Sequence, residues 1–231
     1  MHGFTQTGRS WELVADRLAE RYELVTVDAP GHGDSAAVHA YVPASAALLG
    51  VAGGRACYVG YSMGGRLCLQ LAVDHPELVR RLVLVSATAG IDDAVERAAR
   101  RRADEQLAAS IERDGVDGFL DRWLAMPLFA TLPRDAADLD ERRRNTAAGL
   151  ASSLRLAGTG SQAPLWDRLP ELAMPVLLVA GALDTKFVAI AEWMAQLIRG
   201  AELQVVQGAG HAVHLEQPGA VAAALDGWLR P

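Results

Sequence analysis

The segment Gly60-Tyr61-Ser62-Met63-Gly64 fits the G-x-S-x-G pattern, in which a serine occupies a sharp turn between a strand and a helix. A short apolar run precedes this segment, and a helical pattern starts near Gly65. Glycines on both sides of a serine permit a tight, strained turn that projects the hydroxyl above the sheet. A structural serine in a glycine-rich turn is the alternative. The flanking strand and helix patterns favour Ser62 as a catalytic hydroxyl.

A serine hydroxyl becomes reactive beside a base, and that base needs a group that holds its tautomer. His211 follows the last apolar run of the chain, and Asp184 follows the preceding one. Ligands of open α/β sheets bind at the carboxyl ends of the strands, where both residues are expected. The order Ser62, Asp184, His211 is the order found in α/β-hydrolases, so we predict a catalytic triad. Taken alone, Asp184 could equally be a helix cap.

A second short motif, His2-Gly3-Phe4, stands at the start of the chain. In a fold with a serine elbow, a turn of this kind contributes a backbone N–H to the oxyanion hole, together with the N–H that follows the nucleophile. The predicted donors are the N–H groups of Phe4 and Met63.

The elements that must position these residues alternate between strands and helices. Predicted strands cover residues 24–28, 56–60, 82–86, 176–180 and 203–206, and predicted helices cover 11–20, 65–74, 188–198 and 220–229. The first four strand runs are nearly continuous in apolar residues, as in parallel strands buried on both faces. We therefore predict one α/β domain over residues 1–231. An arginine-rich block without strand patterns, residues 92–157, is predicted to be an inserted helical cap.

Composition limits the classes of partner. The chain has 231 residues, and 28 acidic against 22 basic residues give a formal charge of −6. This balance offers no general attraction to nucleic acid or to an anionic membrane, so a small-molecule partner is expected. No apolar run reaches the roughly 20 residues of a membrane span, and no leader pattern is seen, which favours a cytoplasmic protein. Two cysteines are too few for a disulfide scaffold, and no metal site is predicted.

The motifs HGF, DAPGHGDS, GYSMGG, GALD and GAGH resemble the α/β-hydrolase superfamily over nearly the whole chain. More narrowly, the sequence is similar to the 2-succinyl-6-hydroxy-2,4-cyclohexadiene-1-carboxylate synthase family of menaquinone biosynthesis. The segments that carry this similarity are HGFTQTGRSW, GYSMGGR, RWLAMPLFATLP, LRLAGTGSQAPLW, LDTKF and GAGHAVHLEQP. The third and fourth of these are not general features of the superfamily.

The resemblance implies a lyase that uses no cofactor. It would eliminate pyruvate from 2-succinyl-5-enolpyruvyl-6-hydroxy-3-cyclohexene-1-carboxylate, with Ser62 as the proton abstractor. Such a small polycarboxylate substrate suits arginine, whose planar fork binds carboxylates bidentately. By resemblance, Arg66, Arg100 and Arg142 are expected to bind these groups, and Trp123 is expected to line the pocket. A solvated helix face for the two latter arginines, and simple packing for the tryptophan, are the alternatives.

Other functions stay open at this point. A hydrolase acting on small esters or carbon–carbon bonds would use the same triad, since one fold serves many reactions. A ligand-binding protein without catalysis is a second alternative. In the family a hairpin and a strand lead into the His-Gly motif, whereas Met1 directly precedes it here, so the N-terminal strands are expected to be missing from the sheet. The oligomeric state, monomer or small homo-oligomer, is left open.

Overall fold

The sheet of the protein has four strands in the computed structural model, which describes residues 1–230. The strands are β1 (Ala56–Tyr61), β2 (Val79–Val85), β3 (Val176–Gly181) and β4 (Glu202–Val206). They lie in the order β1-β2-β3-β4, and every neighbouring pair is parallel. Four of the predicted strands and the α/β class are thereby confirmed.

Helices cover both faces of this sheet. The α-helices are α1 (Glu12–Leu18), α2 (Val42–Gly53), α3 (Met63–Asp74), α4 (Ala94–Leu124), α5 (Leu139–Arg142), α6 (Ala147–Ala157), α7 (Thr185–Leu197), α8 (Val213–Glu216) and α9 (Pro218–Leu229). Alternate side chains of a strand point to opposite faces, so Leu82 and Leu84 pack in one core cluster while Val83 and Val85 pack in another. The first core contacts α2, α3 and α7, and the second contacts α1 and α9.

The strand predicted at residues 24–28 is wrong. The segment forms no ladder, and Leu24 and Val25 are exposed. Its path is separated from β1 by a groove of about 170 Å³. Among residues 1–230, Met1 alone hydrogen-bonds the backbone of β1 at this edge. The amino group of Met1 donates to the Val59 carbonyl at 2.7 Å, and its carbonyl accepts from the Tyr61 N–H at 3.0 Å. An apolar run becomes a strand only where a neighbouring backbone supplies hydrogen bonds.

The segment between β2 and β3 contains helices and no strand. The long helix α4 changes direction at Gly115, whose φ of 75° interrupts the helical backbone. Buried side chains of α4 and α6 form a core of their own, with Ile111 and Leu150 fully enclosed. Phe4 and Trp123 pack against this core, so it reaches down to the motif at the start of the chain.

Residues 1–230 offer neither a membrane-spanning helix nor a cluster of metal-ligating side chains. No helix there combines the length and the apolar character needed to cross a membrane. No group of three or more His, Cys, Asp or Glu side chains in that range is placed to hold a metal ion.

Candidate active site

Ser62 lies at the turn between β1 and α3 in a strained backbone conformation, with φ 50° and ψ −110°. A side chain on Gly60 would stand 2.4 Å from the Gly64 carbonyl, and one on Gly64 would stand 2.4 Å from the Met1 carbonyl. These contacts are too close for any Cβ, so both glycines of the G-x-S-x-G pattern are required by packing. Gly60 is confined by the first residues of α3, and Gly64 is confined by the start of the chain, which crosses directly over the turn.

The imidazole of His211 joins Ser62 to Asp184. His211 Nδ1 lies 2.7 Å from Asp184 Oδ2, and His211 Nε2 lies 3.2 Å from Ser62 Oγ. A carboxylate accepts a hydrogen bond, so Nδ1 carries the proton and Nε2 is free to accept from the serine hydroxyl. His211 is 2% exposed. This arrangement can transfer the proton of Ser62 to His211 while Asp184 fixes the tautomer.

Local structure explains where the base and its carboxylate stand. Asp184 is the N-cap residue of α7, and its second carboxylate oxygen accepts the N–H of Phe187 at 3.2 Å. Asp184 therefore caps the helix with one carboxylate oxygen and orients His211 with the other. It has both roles that the sequence allowed, helix cap and triad partner. The loop that carries His211 is held by Glu216, which accepts the N–H groups of Gly210 at 2.8 Å and Ala212 at 3.0 Å.

The predicted oxyanion donors, Phe4 and Met63, both line the cavity above Ser62. Within residues 1–230 neither backbone N–H has a protein acceptor, so both are available to a ligand oxygen. Met63 is the first residue of α3, where the unpaired N–H groups and the helix dipole favour negative charge. This site can stabilise an oxyanion or an enolate.

Two buried histidines hold the loop that carries Phe4. Nε2 of His2 accepts the N–H of Ala29 at 2.9 Å, and Nε2 of His32 accepts the N–H of Thr5 at 3.3 Å. Both rings are therefore neutral. Burial is the largest cause that lowers the pKa of His32 to about 4, and it lowers the pKa of His2 well below its usual value. The motif DAPGHGDS, which contains His32, gave no indication of this role.

Asn145 ties the same loop to the helical segment above it. Its amide nitrogen donates to the carbonyls of Thr5 at 2.7 Å and Arg142 at 2.9 Å, and its oxygen accepts the Gly33 N–H at 2.9 Å. Thr5 has a positive φ of 68°, a conformation that needs such support in a residue other than glycine. The sequence around Asn145 gave no signal of this contact.

A cavity of about 180 Å³ opens over the hydroxyl of Ser62. Cationic side chains are its most unusual feature: Arg66, Arg100, Arg142 and Lys186 all line it. Lys186 was not assigned to the site from the sequence. Tyr61, also missed, lies beside Ser62 with its hydroxyl buried, which raises the pKa of the phenol.

Arg66 is buried, with 6% of its surface exposed, yet its hydrogen-bond partners are neutral. One terminal nitrogen donates to Gln162 Oε1 and the other to the Ala157 carbonyl, each at 2.9 Å. Burial is the largest cause that lowers the pKa of Arg66 to about 10, and the charge of Arg100 lowers it further. A buried cation without a carboxylate partner is costly, so the site is suited to an anionic ligand.

Arg142 is buried to a similar degree, at 2% exposed. Its Nε donates to the Ala137 carbonyl at 2.7 Å, and a terminal nitrogen donates to the hydroxyl of Thr5. Burial is the largest cause that lowers its pKa to about 10. No carboxylate of residues 1–230 forms an ion pair with Arg66 or Arg142, whereas Arg100 pairs with Asp104.

Trp123 lies at the wall of the cavity among other aromatic rings. Its ring centre is 5.3 Å from that of Phe4 and 5.5 Å from that of Phe129. The indole N–H is buried and has no acceptor within the described chain. Trp123 therefore both packs and presents an unpaired donor beside the cavity.

Comparison with known proteins places this geometry in a family. The model of the alpha/beta hydrolase family matches residues 1–224. The chain belongs to this family. The 2-succinyl-6-hydroxy-2,4-cyclohexadiene-1-carboxylate synthase of Serratia proteamaculans (strain 568) is 33% identical over 99% of this chain and 91% of its own length. A Bacillus subtilis (strain 168) protein, provisionally named for the same synthase, is 38% identical over 94% of this chain and 84% of its own length.

Solved structures agree with the sequence comparison. MenH from S. aureus matches this alpha/beta hydrolase chain with a TM-score of 0.94 and 30% identity, covering 99% of this chain and 91% of that one. An esterase from Thermogutta terrifontis matches with a TM-score of 0.82 at 24% identity, which is a likeness of fold alone. The family resemblance predicted from the motifs is thereby confirmed.

Proposed function

We propose that this chain is a lyase that eliminates pyruvate from 2-succinyl-5-enolpyruvyl-6-hydroxy-3-cyclohexene-1-carboxylate to give 2-succinyl-6-hydroxy-2,4-cyclohexadiene-1-carboxylate. The observation that carries the proposal is the pair of buried arginines without ion-pair partners, Arg66 and Arg142, on the cavity wall above Ser62. The substrate has three carboxylates, one each on the succinyl, ring and enolpyruvyl groups. Similarity to proteins named for this synthase supports the same choice.

Chemically, the reaction is a proton abstraction followed by loss of a leaving group. Ser62 Oγ passes its proton to His211 Nε2 and takes a proton from the ring carbon that bears the succinyl group. The electron pair of that carbon–hydrogen bond shifts the ring double bond, and the carbon–oxygen bond to the enolpyruvyl group breaks. Pyruvate leaves as its enolate, which takes up the proton held on His211 and so restores the neutral imidazole. No acyl-enzyme forms.

Negative charge develops on the succinyl carbonyl oxygen as the proton leaves the neighbouring carbon. The free N–H groups of Phe4 and Met63 are the donors available to that oxygen. Preorganised donors of this kind act on the transition state more than on the ground state. Asp184 keeps the imidazolium of His211 stable while it holds the proton of Ser62.

The substrate carboxylates are assigned to the arginines of the cavity. Guanidinium groups bind carboxylates with two parallel hydrogen bonds, which fixes orientation as well as charge. Residues 92–157 are proposed to act as the cap of the domain, because they bring Arg100, Trp123 and Arg142 to the cavity from above the sheet.

A comparison of substrates tests the proposal against simple ester hydrolysis. The purified protein is given the enolpyruvyl precursor and, separately, 4-nitrophenyl acetate, and kcat/KM is measured for each. We expect turnover of the precursor and little of the ester, because a small neutral ester makes no use of the arginines. Rapid ester hydrolysis with no pyruvate from the precursor would refute the lyase assignment.

A further inference from the structure

We propose that Asp104 is a positioning residue that aims the guanidinium of Arg100 at substrate carboxylates. Asp104 lies on α4, one helical turn after Arg100, and is 2% exposed. Its Oδ1 accepts the Nε–H of Arg100 at 2.7 Å. The inference rests on the proposed function only in taking a carboxylate as the ligand.

The geometry of this ion pair leaves the binding end of Arg100 free. Only Nε of Arg100 is engaged, and within residues 1–230 its two terminal nitrogens have no acceptor. Those nitrogens form the end-on fork that can hold a carboxylate bidentately. Arg100 lines the cavity. The carboxylate of Asp104 binds the Nε side of the guanidinium, and the two terminal nitrogens stay free for the ligand.

Asp104 is itself held by the turn that follows α6. Its Oδ2 accepts the N–H of Gly160 at 3.2 Å. A side chain on Gly158 would stand 2.6 Å from the same oxygen, and one on Gly160 would stand 2.3 Å from the backbone nitrogen of Arg101. Glycines are therefore required where the turn closes around the carboxylate. The turn fixes Asp104, and Asp104 fixes Arg100.

The charge of Asp104 also serves Arg66. Arg100 lowers the pKa of the buried Arg66 guanidinium, and Asp104 raises it. The carboxylate of Asp104 thus offsets the repulsion between Arg66 and Arg100 while leaving the terminal nitrogens of Arg100 free. A neutral residue at position 104 would leave Arg100 free to swing into solvent, since 44% of its side chain is exposed.

A double-mutant cycle in succinate binding tests the inference without turnover. Asp104→Asn, Arg100→Ala and the double variant are made in the full chain, and the Kd of succinate is measured by calorimetry. Each single variant should weaken binding about tenfold, and the double variant should also be about tenfold weaker, because Asp104 acts through Arg100. Effects that multiply to about a hundredfold would overturn the inference. Wild-type protein that binds no succinate would overturn it as well.

A neighbouring acid on the same helix supplies the matched control. Glu105 pairs with Arg155, which does not line the cavity, so Glu105→Gln should change the Kd by less than about twofold. If Asp104→Asn fails to fold, the Kd of succinate is measured for Arg100→Lys instead. Lysine keeps the charge but lacks the fork, so Arg100→Lys should bind succinate more weakly than wild type, and wild-type affinity would contradict the inference.

The same variants distinguish this inference from the lyase proposal. In pyruvate release, loss of positioning should raise KM more than it lowers kcat, a separation that general loosening of the fold would not produce. If the four proteins show the predicted cycle in succinate binding but the wild type releases no pyruvate, the proposed reaction alone is refuted. A normal reaction with an additive cycle would refute the role of Asp104 alone.

Discussion

Replacing Arg66 with alanine should lower kcat/KM for the enolpyruvyl precursor roughly 30- to 1000-fold, which corresponds to about 2–4 kcal/mol of lost transition-state stabilisation. The value follows from the partners of the guanidinium. Its two terminal nitrogens donate only to neutral oxygens, so no protein carboxylate competes for its charge. A hydrogen bond between charged groups contributes about 1.5–3 kcal/mol, and bidentate contact places the total in the stated range.

The pKa of Arg66 leads to a similar magnitude by an independent route. Lowering it from 12.5 to about 10 corresponds to about 3 kcal/mol spent in keeping the buried group charged. A bound carboxylate offsets part of that cost. Burial of Arg66 therefore lowers the stability of the ligand-free protein and strengthens the binding of a carboxylate. Arg66→Lys should fall between wild type and Arg66→Ala, since lysine keeps the charge and lacks the fork.

Steady-state kinetics on purified variants, with pyruvate measured by a coupled dehydrogenase, gives the comparison. Arg97→Ala is the matched control, because Arg97 also donates to neutral carbonyls, those of Ile91 and Asp92, but lies away from the cavity. The control should stay within about twofold of wild type. An Arg66→Ala variant with wild-type kcat/KM would refute the assignment of the buried arginines to substrate carboxylates.

Three further predictions concern the catalytic groups and the loop that carries Phe4. Ser62→Ala and His211→Ala should each slow pyruvate release at least about a hundredfold, with Ser152→Ala as an unaffected control in the same assay. Asn145→Ala should lower the free energy of unfolding in urea by about 2–4 kcal/mol and also lower kcat, because a buried side chain loses three hydrogen bonds. An unchanged kcat would show that the loop carrying Phe4 does not contribute to catalysis. The pKa of His32 is about 4 in the folded chain, below its value of about 6.5 in the unfolded chain. Between these pH values the unfolded chain therefore binds more protons, so the free energy of unfolding should fall by about 3 kcal/mol as the pH drops from 6.5 to 4. Urea unfolding at several pH values should show this slope reduced in His32→Gln and retained in His39→Gln, and equal slopes would contradict it.

The parts of the fold that the sequence predicted are those encoded by local pattern. The runs at 82–86 and 176–180 are continuous in apolar residues because both faces of each strand are buried, and the structure confirms them. The run at 24–28 has a similar composition but lacks a paired neighbour, which no local pattern reveals. Helix α2 was not predicted because apolar side chains surround it, with Leu48 and Val51 exposed, so it lacks a two-sided periodicity.

The candidate site divides along the same line. Ser62, Asp184 and His211 each follow a strand, and the structure brings the side chains of Ser62 and Asp184 within hydrogen-bond distance of the His211 imidazole. Asn145 acts through contacts with loops distant in sequence, so it has no local signature. Asp104 has the local i, i+4 spacing to Arg100, but the turn that holds its other carboxylate oxygen lies distant in sequence. The resemblance pointed to Arg66, Arg100 and Arg142 as cavity residues, but only the structure reveals which of them has an acidic partner.

Pyruvate release measured together with formation of the cyclohexadiene product tests the central claim most directly. Wild-type protein and Ser62→Ala are incubated with the enolpyruvyl precursor, alongside a sample without protein, and both products are quantified over time. The account predicts that wild type forms one pyruvate for each diene, and that Ser62→Ala forms both at least about a hundredfold more slowly. Pyruvate without the diene, or equal rates in the two proteins, would contradict elimination by Ser62.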